Sequence, residues 1–332
     1  MALILQDVSL VAVTSLNGEG CAKGCAEADQ CAFAAVSTLG DEAAPLLYVN
    51  EAGGQHDEWT ALSLATWTVG DPSDVFGVES FIMIVNGSEA LPLARSQDKG
   101  ATATYLAGHA DMATHNPWAG DLISPDVMVV VGADGYVWLS TDYGTTWTTV
   151  DSGGATTEDL TKVMICRQNS AIVYAIGENN AFIKSENGGY TWFALTGPSA
   201  VDNLTAIEIT NENDLLIGND DGELWESADG GESWTQQADL PDLPTNASLN
   251  AISCCSCGPV DKSGVCYAII EDTSSTDHVV YRNAGYGSAQ WEVEQGFGAL
   301  TEAPEDIVCC ENNRALVVGG DGDDEGFTGL IS

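Results

Sequence analysis

The stretch Ser140-Thr141-Asp142-Tyr143-Gly144-Thr145-Thr146-Trp147 returns twice, with small changes, further along the chain. It reads Ser185-Glu186-Asn187-Gly188-Gly189-Tyr190-Thr191-Trp192 and then Ser227-Ala228-Asp229-Gly230-Gly231-Glu232-Ser233-Trp234. We call each occurrence a box. In a tight turn an Asp or Asn side chain accepts backbone N–H bonds, and a Gly supplies the positive φ of a short hairpin. Each box therefore predicts a structural hairpin turn that ends in a strand beginning at the Trp.

The boxes mark a repeat. Their serines recur after 45 and 42 residues, a period typical of repeat architectures. One step back lies a fourth box, from Ser96 to Ala103, with Ala in place of the Trp. Degenerate boxes begin at Tyr48 and at Tyr281. The residues predicted to build the four clearest turns are Ser96, Asp98, Gly100, Ser140, Asp142, Gly144, Trp147, Ser185, Asn187, Gly189, Trp192, Ser227, Asp229, Gly231 and Trp234.

The frame resembles the Asp-box, or BNR, repeat of sialidases, sortilins, xyloglucanases and photosystem II assembly factors. In that family each box is the hairpin turn on one blade of a β-propeller. The resemblance thus implies a propeller fold, and it implies no particular chemistry.

Each repeat reads as four short strands with turn residues between them, and no stretch shows a sustained helical period. We therefore predict a single all-β domain over residues 1–332, a seven-bladed β-propeller of four-stranded antiparallel blades. The N-terminal strand is expected to pair into the last blade and close the ring, which removes exposed edges. The predicted blades span about 7–68, 69–107, 108–150, 155–200, 201–240, 245–297, and 304–332 plus 1–6.

The charge balance excludes several partners. The 332 residues include 9 basic and 50 acidic side chains, a formal charge of −41. Nucleic acid and anionic membrane surfaces need basic patches, so neither is expected as a partner. No signal peptide or membrane-spanning run is expected from the sequence, and the location stays open. Such acidity suits high or marine salt, where screening removes self-repulsion.

Ten cysteines are grouped unevenly along the chain. Loop disulfides Cys21–Cys31 and Cys257–Cys266 are one interpretation; reduced buried thiols and a metal site are the others. Because neighbouring inner strands approach each other at a propeller axis, the adjacent pairs Cys254/Cys255 and Cys309/Cys310 also suggest a disulfide between blades.

Enzyme signatures are weak. A sialidase clamps its substrate carboxylate with three arginines, and this chain has only four, Arg95, Arg167, Arg282 and Arg314, without the family motif. A hydrolase resembling the xyloglucanases would need two carboxylates across a cleft, which the sequence does not single out. Of the four histidines, only His109 and His115 are close enough in sequence to share a site, and both are expected at the surface.

One acidic turn is a candidate calcium site. Asp321, Asp323, Asp324 and Glu325 supply dense carboxylates of the kind that Ca²⁺ prefers, although the bidentate Glu of a helix–loop–helix calcium loop is missing. The alternative is a solvated acidic hairpin. No other cofactor is expected.

These observations predict a non-enzymatic structural or interaction propeller. Its partners would be other protein subunits of a large assembly, such as the capsid or tail of a virion from a marine or halophilic virus. The alternatives are a glycan-binding propeller, whose aromatic candidates Trp138 and Trp225 recur in third strands, and a glycoside hydrolase.

Overall fold

The computed structural model describes most of the chain. The described residues are 3–6, 10–16, 32–37, 45–50, 59–66, 72–87, 90–150, 154–198, 202–237, 240, 246–255, 264–272, 279–283, 291–294, 304–310, 314–320 and 325–331. Strands dominate, because apolar β-branched runs are separated by turn residues. The short helices are α1 (Met112–His115) and two 3₁₀ turns, Ala133–Gly135 and Glu178–Asn180.

The first three blades follow the chain in order. Blade 1 comprises β2 (Leu10–Ser15), β3 (Phe33–Ser37), β4 (Leu46–Asn50) and β5 (Trp59–Ser63). Blade 2 comprises β6 (Asp74–Val78), β7 (Phe81–Val85), β8 (Leu93–Ser96) and β9 (Thr104–Leu106). Blade 3 comprises β10 (Pro117–Ser124), β11 (Val127–Gly132), β12 (Val137–Ser140) and β13 (Thr148–Val150).

Three more blades of the same kind come next. Blade 4 comprises β14 (Leu160–Ile165), β15 (Val173–Gly177), β16 (Phe182–Ser185) and β17 (Phe193–Ala194). Blade 5 comprises β18 (Leu204–Ile209), β19 (Leu215–Asn219), β20 (Leu224–Ser227) and β21 (Thr235–Gln236). Blade 6 comprises β22 (Ala247–Cys255), β23 (Val265–Asp272), β24 (Val279–Asn283) and β25 (Trp291–Val293).

The last sheet is composite, and we call it the closing sheet. It comprises β26 (Pro304–Cys310), β27 (Arg314–Gly320), β28 (Glu325–Ile331) and the N-terminal strand β1 (Leu3–Gln6), in the order β1-β28-β27-β26. Counted as uninterrupted runs of four strands, the blades therefore number six, not seven as the sequence predicted. The reason is that the strand completing the last sheet lies at the other end of the chain, antiparallel to β28.

The first strands of the sheets form a closed ring. Each contacts the first strand of both neighbours, in the order β2, β6, β10, β14, β18, β22, β26 and back to β2. All pairings within sheets are antiparallel, and in six of the seven sheets the first two strands shift register near the start, as between Leu160 and Lys162. Buried aliphatic and aromatic side chains fill the gaps between neighbouring sheets, as where Val129 and Ile183 share one cluster. The core is therefore a ring of inter-blade layers.

Antiparallel order gives the ring two different sides. Turns between first and second strands, and between third and fourth strands, lie on one side, which we call the box face. Turns between second and third strands, and the linkers between blades, lie on the other, the mouth face. Among the described residues, no helix is long and apolar enough to cross a membrane.

Candidate functional site

The box turns are held by one repeated set of hydrogen bonds. In the box of blade 3, Ser140 Oγ accepts the Gly144 N–H at 3.0 Å and donates to Asp142 Oδ1 at 3.1 Å. Asp142 in turn accepts the Thr146 N–H at 2.8 Å and its hydroxyl at 2.7 Å. The boxes at Ser96, Ser185 and Ser227 repeat these contacts. The Ser and Asp or Asn side chains of each box thus form hydrogen bonds within their own turn.

The box carboxylates are committed to the turn. Hydrogen bonds from Thr102 lower the pKa of Asp98, those from Thr146 lower that of Asp142, and those from Ser233 lower the pKa of Asp229 to about 2. In blade 4 the uncharged Asn187 also accepts from the Thr191 N–H and the Ser185 hydroxyl, and its Nδ2 donates to the Thr191 hydroxyl. Trp147 and Trp192 each donate Nε1–H to the box Gly carbonyl, whereas Trp234 donates to Thr196. A charge is therefore dispensable here, which favours a structural role.

Several predicted features lie outside the described residues. They are the turns of the degenerate boxes after Asn50 and after Asn283, the cysteines Cys21, Cys31 and Cys257, the acidic residues Asp321, Asp323 and Asp324, and the side chain of Glu325. Among the described residues no group of three His, Cys, Asp or Glu side chains could hold a metal ion.

Two disulfides lie near the box-face end of β22. Cys254 pairs with Cys266 at a Cα separation of 4.0 Å, because the register of β22 and β23 places them directly opposite. The predicted Cys257–Cys266 pair is therefore wrong. Cys255 pairs with Cys309 across the boundary to the closing sheet, which confirms the disulfide predicted between blades. Cys166 is a buried free thiol.

One row of side chains at the ring axis changes from small to charged. The row lies in the first strands, directly after the register shift in the six sheets that have one, and four of its members are alanines: Ala12, Ala119, Ala206 and Ala251. Asp74, Lys162 and Asp306 are the other three. Small side chains let neighbouring backbones approach closely, so the charged exceptions need a separate explanation.

Asp74 and Asp306 connect neighbouring sheets. The Asp74 carboxylate accepts the N–H of Gly120 in blade 3 at 2.8 Å, and Asp306 accepts the N–H of Val13 in blade 1 at 2.9 Å. Burial raises the pKa of Asp74 to about 7 and also raises that of Asp306. Burial alone would lower the pKa of Lys162, but the charges of Asp306 and Asp74 outweigh it and raise that pKa. Asp74 and Asp306 thus connect neighbouring sheets on the inner side of the ring.

A second charged group occupies the box-face end of the axis. Asp121 accepts the Ile165 N–H at 2.7 Å and forms an ion pair with Arg167 at 2.7 Å. These contacts link blade 3 to blade 4. Glu208 is only 8% exposed, and burial raises its pKa to about 8 against the opposing effects of the Cys254 N–H and Arg167. The pattern of linking carboxylates thus continues around the ring.

Sequence reasoning passed over these axial residues. Lys162, Glu208 and Asp306 all lie within strands that read as apolar runs, and a charge inside such a run is the signal that could have revealed them. Their partners come from other repeats, so the contacts themselves could not be read from spacing.

The two candidate histidines do not share a site. His109 Nδ1 lies 3.0 Å from Thr149 Oγ1 and 3.2 Å from the Asp111 carboxylate, whereas His115 Nδ1 lies 2.9 Å from Asp134 and its ring stacks on Tyr136. A nucleophilic triad needs the base to contact its acid and its nucleophile through different nitrogens. Because Nδ1 of His109 faces both neighbours, this arrangement is not a triad.

The glycan interpretation loses one of its two aromatic candidates. Trp138 is fully buried and Trp225 is half-buried, and the indole nitrogens of both are enclosed without a hydrogen-bond acceptor. The Trp138 ring therefore cannot stack on a sugar from solvent, whereas part of the Trp225 side chain is exposed. The exposed large side chains among the described residues are instead Trp118, Tyr143, Tyr190 and Phe193.

The mouth face of blades 3 to 5 is uniformly acidic. Its turns and linkers between residues 107 and 223 carry nine described carboxylates and no Lys or Arg: Asp111, Asp134, Glu158, Asp159, Glu178, Asp202, Asp220, Asp221 and Glu223. Repulsion from Asp202 is the main cause that raises the pKa of Asp221. The surface basic residues described lie toward the box face or in third strands: Arg95, Lys99, Arg167, Lys184 and Arg282. The two sides of the ring therefore differ in charge.

Comparison with known families finds one partial match. The family model described as Sortilin-Vps10 (Sortilin, neurotensin receptor 3) matches residues 135–242, the segment that carries all three of the clearest boxes. No curated protein matches the chain.

Solved structures share the fold at low identity. The structure of YCF48 from Cyanidioschyzon merolae is 14% identical with a TM-score of 0.67, covering 97% of this chain and 95% of that one. A structure of YCF48 bound to D1 peptide is 11% identical with a TM-score of 0.70, covering 100% and 95%. The GH74 xyloglucanase from Xanthomonas campestris is 15% identical with a TM-score of 0.64; this chain covers only 52% of it, and 96% of this chain is covered.

Proposed function

We propose that this chain, a β-propeller whose boxes resemble the Asp-box repeat, is a non-enzymatic interaction module that binds a basic protein segment across its mouth face. The observation that carries the proposal is the set of nine carboxylates on the mouth face of blades 3 to 5, where the described residues include no Lys or Arg. Such a surface attracts and orients a positively charged partner. The YCF48 structure with a bound peptide is an example of this fold accommodating one.

The exposed ring of Trp118 adds an apolar anchor to this face. It is 38% exposed and is the second residue of β10, at the end of the strand that meets the mouth face. An aromatic face beside carboxylates suits Lys or Arg side chains, through cation–π contact combined with charge attraction. The partner segment should therefore be basic and should lie close to the ring axis.

A direct test compares two charge-matched variants. One replaces mouth-face carboxylates (Asp134→Asn, Glu178→Gln, Asp221→Asn) and the other replaces exposed box-face carboxylates (Glu79→Gln, Glu186→Gln, Glu232→Gln). Binding of a fluorescent Lys/Arg-rich peptide is measured by anisotropy at low and high salt. The mouth-face variant should lose about tenfold in affinity and show a shallower salt dependence. Equal losses in both variants would reduce the effect to overall charge and contradict the proposal.

The biological setting we propose is a large assembly, such as the capsid or tail of a virion in salt-rich surroundings. The formal charge of −41 supports it, because high salt screens the repulsion between neighbouring copies. Light scattering of the purified protein at high and low salt gives the native mass. A large defined particle supports the assembly, and a monomer of 34.7 kDa at every salt concentration contradicts it.

A further inference from the structure

The box turns also fasten each sheet to the one before it. The box Gly lies against the preceding blade, so that a Cβ on Gly231 would stand 2.6 Å from Phe182 of blade 4, and one on Gly189 would stand 3.0 Å from Val129 of blade 3. The residue before the Gly contributes its carbonyl: Tyr174 Oη donates to Gly230 at 3.0 Å. A box is therefore a clasp between neighbouring blades as well as a turn.

The closing sheet cannot carry such a clasp. Its third and fourth strands are β28 and β1, which are separated by the whole intervening chain, so no short turn joins them. The boundary between blade 6 and this sheet must be fastened in another way. There the structure has the Cys255–Cys309 disulfide, with a Cα separation of 5.1 Å.

Few other polar contacts are described at that boundary. The Cys309 N–H donates to Ser253 Oγ at 2.9 Å, and Asn250 donates to the Pro304 carbonyl at 3.2 Å. Apolar side chains also pack across the boundary, with Ala251 and Ile307 in one cluster. The disulfide is thus a covalent cross-link between the two sheets in addition to the chain that runs from β25 to β26.

We propose that the Cys255–Cys309 disulfide is a redox-controlled latch of the ring. Cys255 is 3% exposed whereas Cys309 is partly exposed, so a dithiol reductant reaches the Cys309 sulfur. A thiolate of the reductant attacks the Cys309 sulfur and the Cys255–Cys309 bond breaks. Cys255 leaves as a thiolate that takes up a proton. The second thiol of the reductant, as its thiolate, displaces Cys309 and closes a disulfide in the reductant. Two electrons and two protons pass to the protein, and the two sheets are then held together by noncovalent contacts and by the chain between β25 and β26.

The neighbouring disulfide provides a matched control. Cys254 and Cys266 also form a disulfide at this end of blade 6, but both belong to that blade. Breaking it removes a cross-link of similar chemistry without freeing the closing sheet. A variant with Cys254→Ser and Cys266→Ser therefore separates the effect of the latch from that of reduction in general.

The test measures hydrogen exchange and the melting temperature of the full chain with and without dithiothreitol. In the wild-type protein, reduction should raise exchange in β26, β27 and β28 at least about tenfold more than in blades 3 and 4, and lower Tm by about 5 °C. A variant with Cys255→Ser and Cys309→Ser should show the raised exchange without reductant. The control variant should keep its response to reductant in the closing sheet.

Three results would overturn the latch. Mass spectrometry of the protein purified without reductant could find free thiols at Cys255 and Cys309. Reduction could leave exchange in the closing sheet unchanged, or it could raise exchange equally in every blade. The wild-type comparison requires no variant, so it decides the question even if the double substitution at Cys255 and Cys309 does not fold.

Discussion

At the scale of single residues, the box serine stabilises its turn through a buried hydrogen bond. Ser140 is buried, and its hydroxyl is the acceptor for the N–H of Gly144, which is itself buried. Replacing Ser140 by Ala leaves this donor without a partner, which typically costs about 1–3 kcal/mol. Urea unfolding should show that loss. Thr141→Ala, at the exposed neighbour in the same turn, should change the free energy of unfolding by less than about 0.5 kcal/mol.

The buried carboxyl of Glu208 predicts an unusual dependence of stability on pH. Burial raises its pKa from 4.5 to about 8 in the folded protein. Between these values the folded state binds more protons than the unfolded state, so this group makes stability fall as pH rises from about 4.5 to about 8. The slope is at most about 1.4 kcal/mol per pH unit.

Glu208→Gln removes this titration while it keeps the size of the side chain. Urea unfolding at several pH values, in high salt to suppress the overall repulsion of carboxylates, should show a flatter profile for the variant between pH 5 and pH 8. Parallel profiles for the two proteins would contradict the prediction. The sequence shows a charge within an apolar run at this position, but it could not show how far the pKa shifts, because the burial of Glu208 depends on strands β18 and β22 coming together.

At the scale of the element, we expect a box glycine to stabilise the fold in two ways: it adopts a positive φ and it leaves room for the neighbouring blade. Gly231 has φ +89°, and an added Cβ would collide with Phe182. Gly154 has φ +72°, but nothing lies within 4 Å of its Cβ position. Gly231→Ala combines strain with a clash and should cost roughly 2–4 kcal/mol, whereas Gly154→Ala should cost only about 1 kcal/mol. Equal losses in chemical unfolding would show that the contact with blade 4 contributes nothing.

The box turns could be predicted from the sequence because the residues that form each turn are close together in the chain. Ser, Asp and Gly within eight residues specify each box, and strand β1 was predicted to close the ring from a simple count of strands. Pairings between distant segments were harder. Cys266 was assigned to Cys257 from sequence distance, yet the register of β22 and β23 places it opposite Cys254. The linking role of Asp74 was missed because its partner, Gly120, belongs to another repeat.

At the scale of the whole molecule, charge separates the two sides of the ring. Basic side chains near the box face are used in contacts that join blades, such as Arg95 with the Tyr143 carbonyl and Arg167 with Asp121. On the mouth face of blades 3 to 5 the described carboxylates have no Lys or Arg among them, and the nearby basic side chains are His109 and His115. The few cationic side chains are thus placed where they join neighbouring blades. The remaining negative charge is available to interact with solvent, salt or a partner.

This imbalance predicts that salt stabilises the protein. With 50 acidic and 9 basic residues, folding brings like charges together, and the repulsion weakens as the Debye length falls from about 10 Å at 0.1 M salt to about 3 Å at 1 M. Tm should therefore rise by several degrees over that range. A variant with three exposed carboxylates neutralised (Glu178→Gln, Asp221→Asn, Glu232→Gln) should start from a higher Tm at low salt and gain less. Because general salting-out would raise both proteins equally, parallel curves would show that charge repulsion is not the cause.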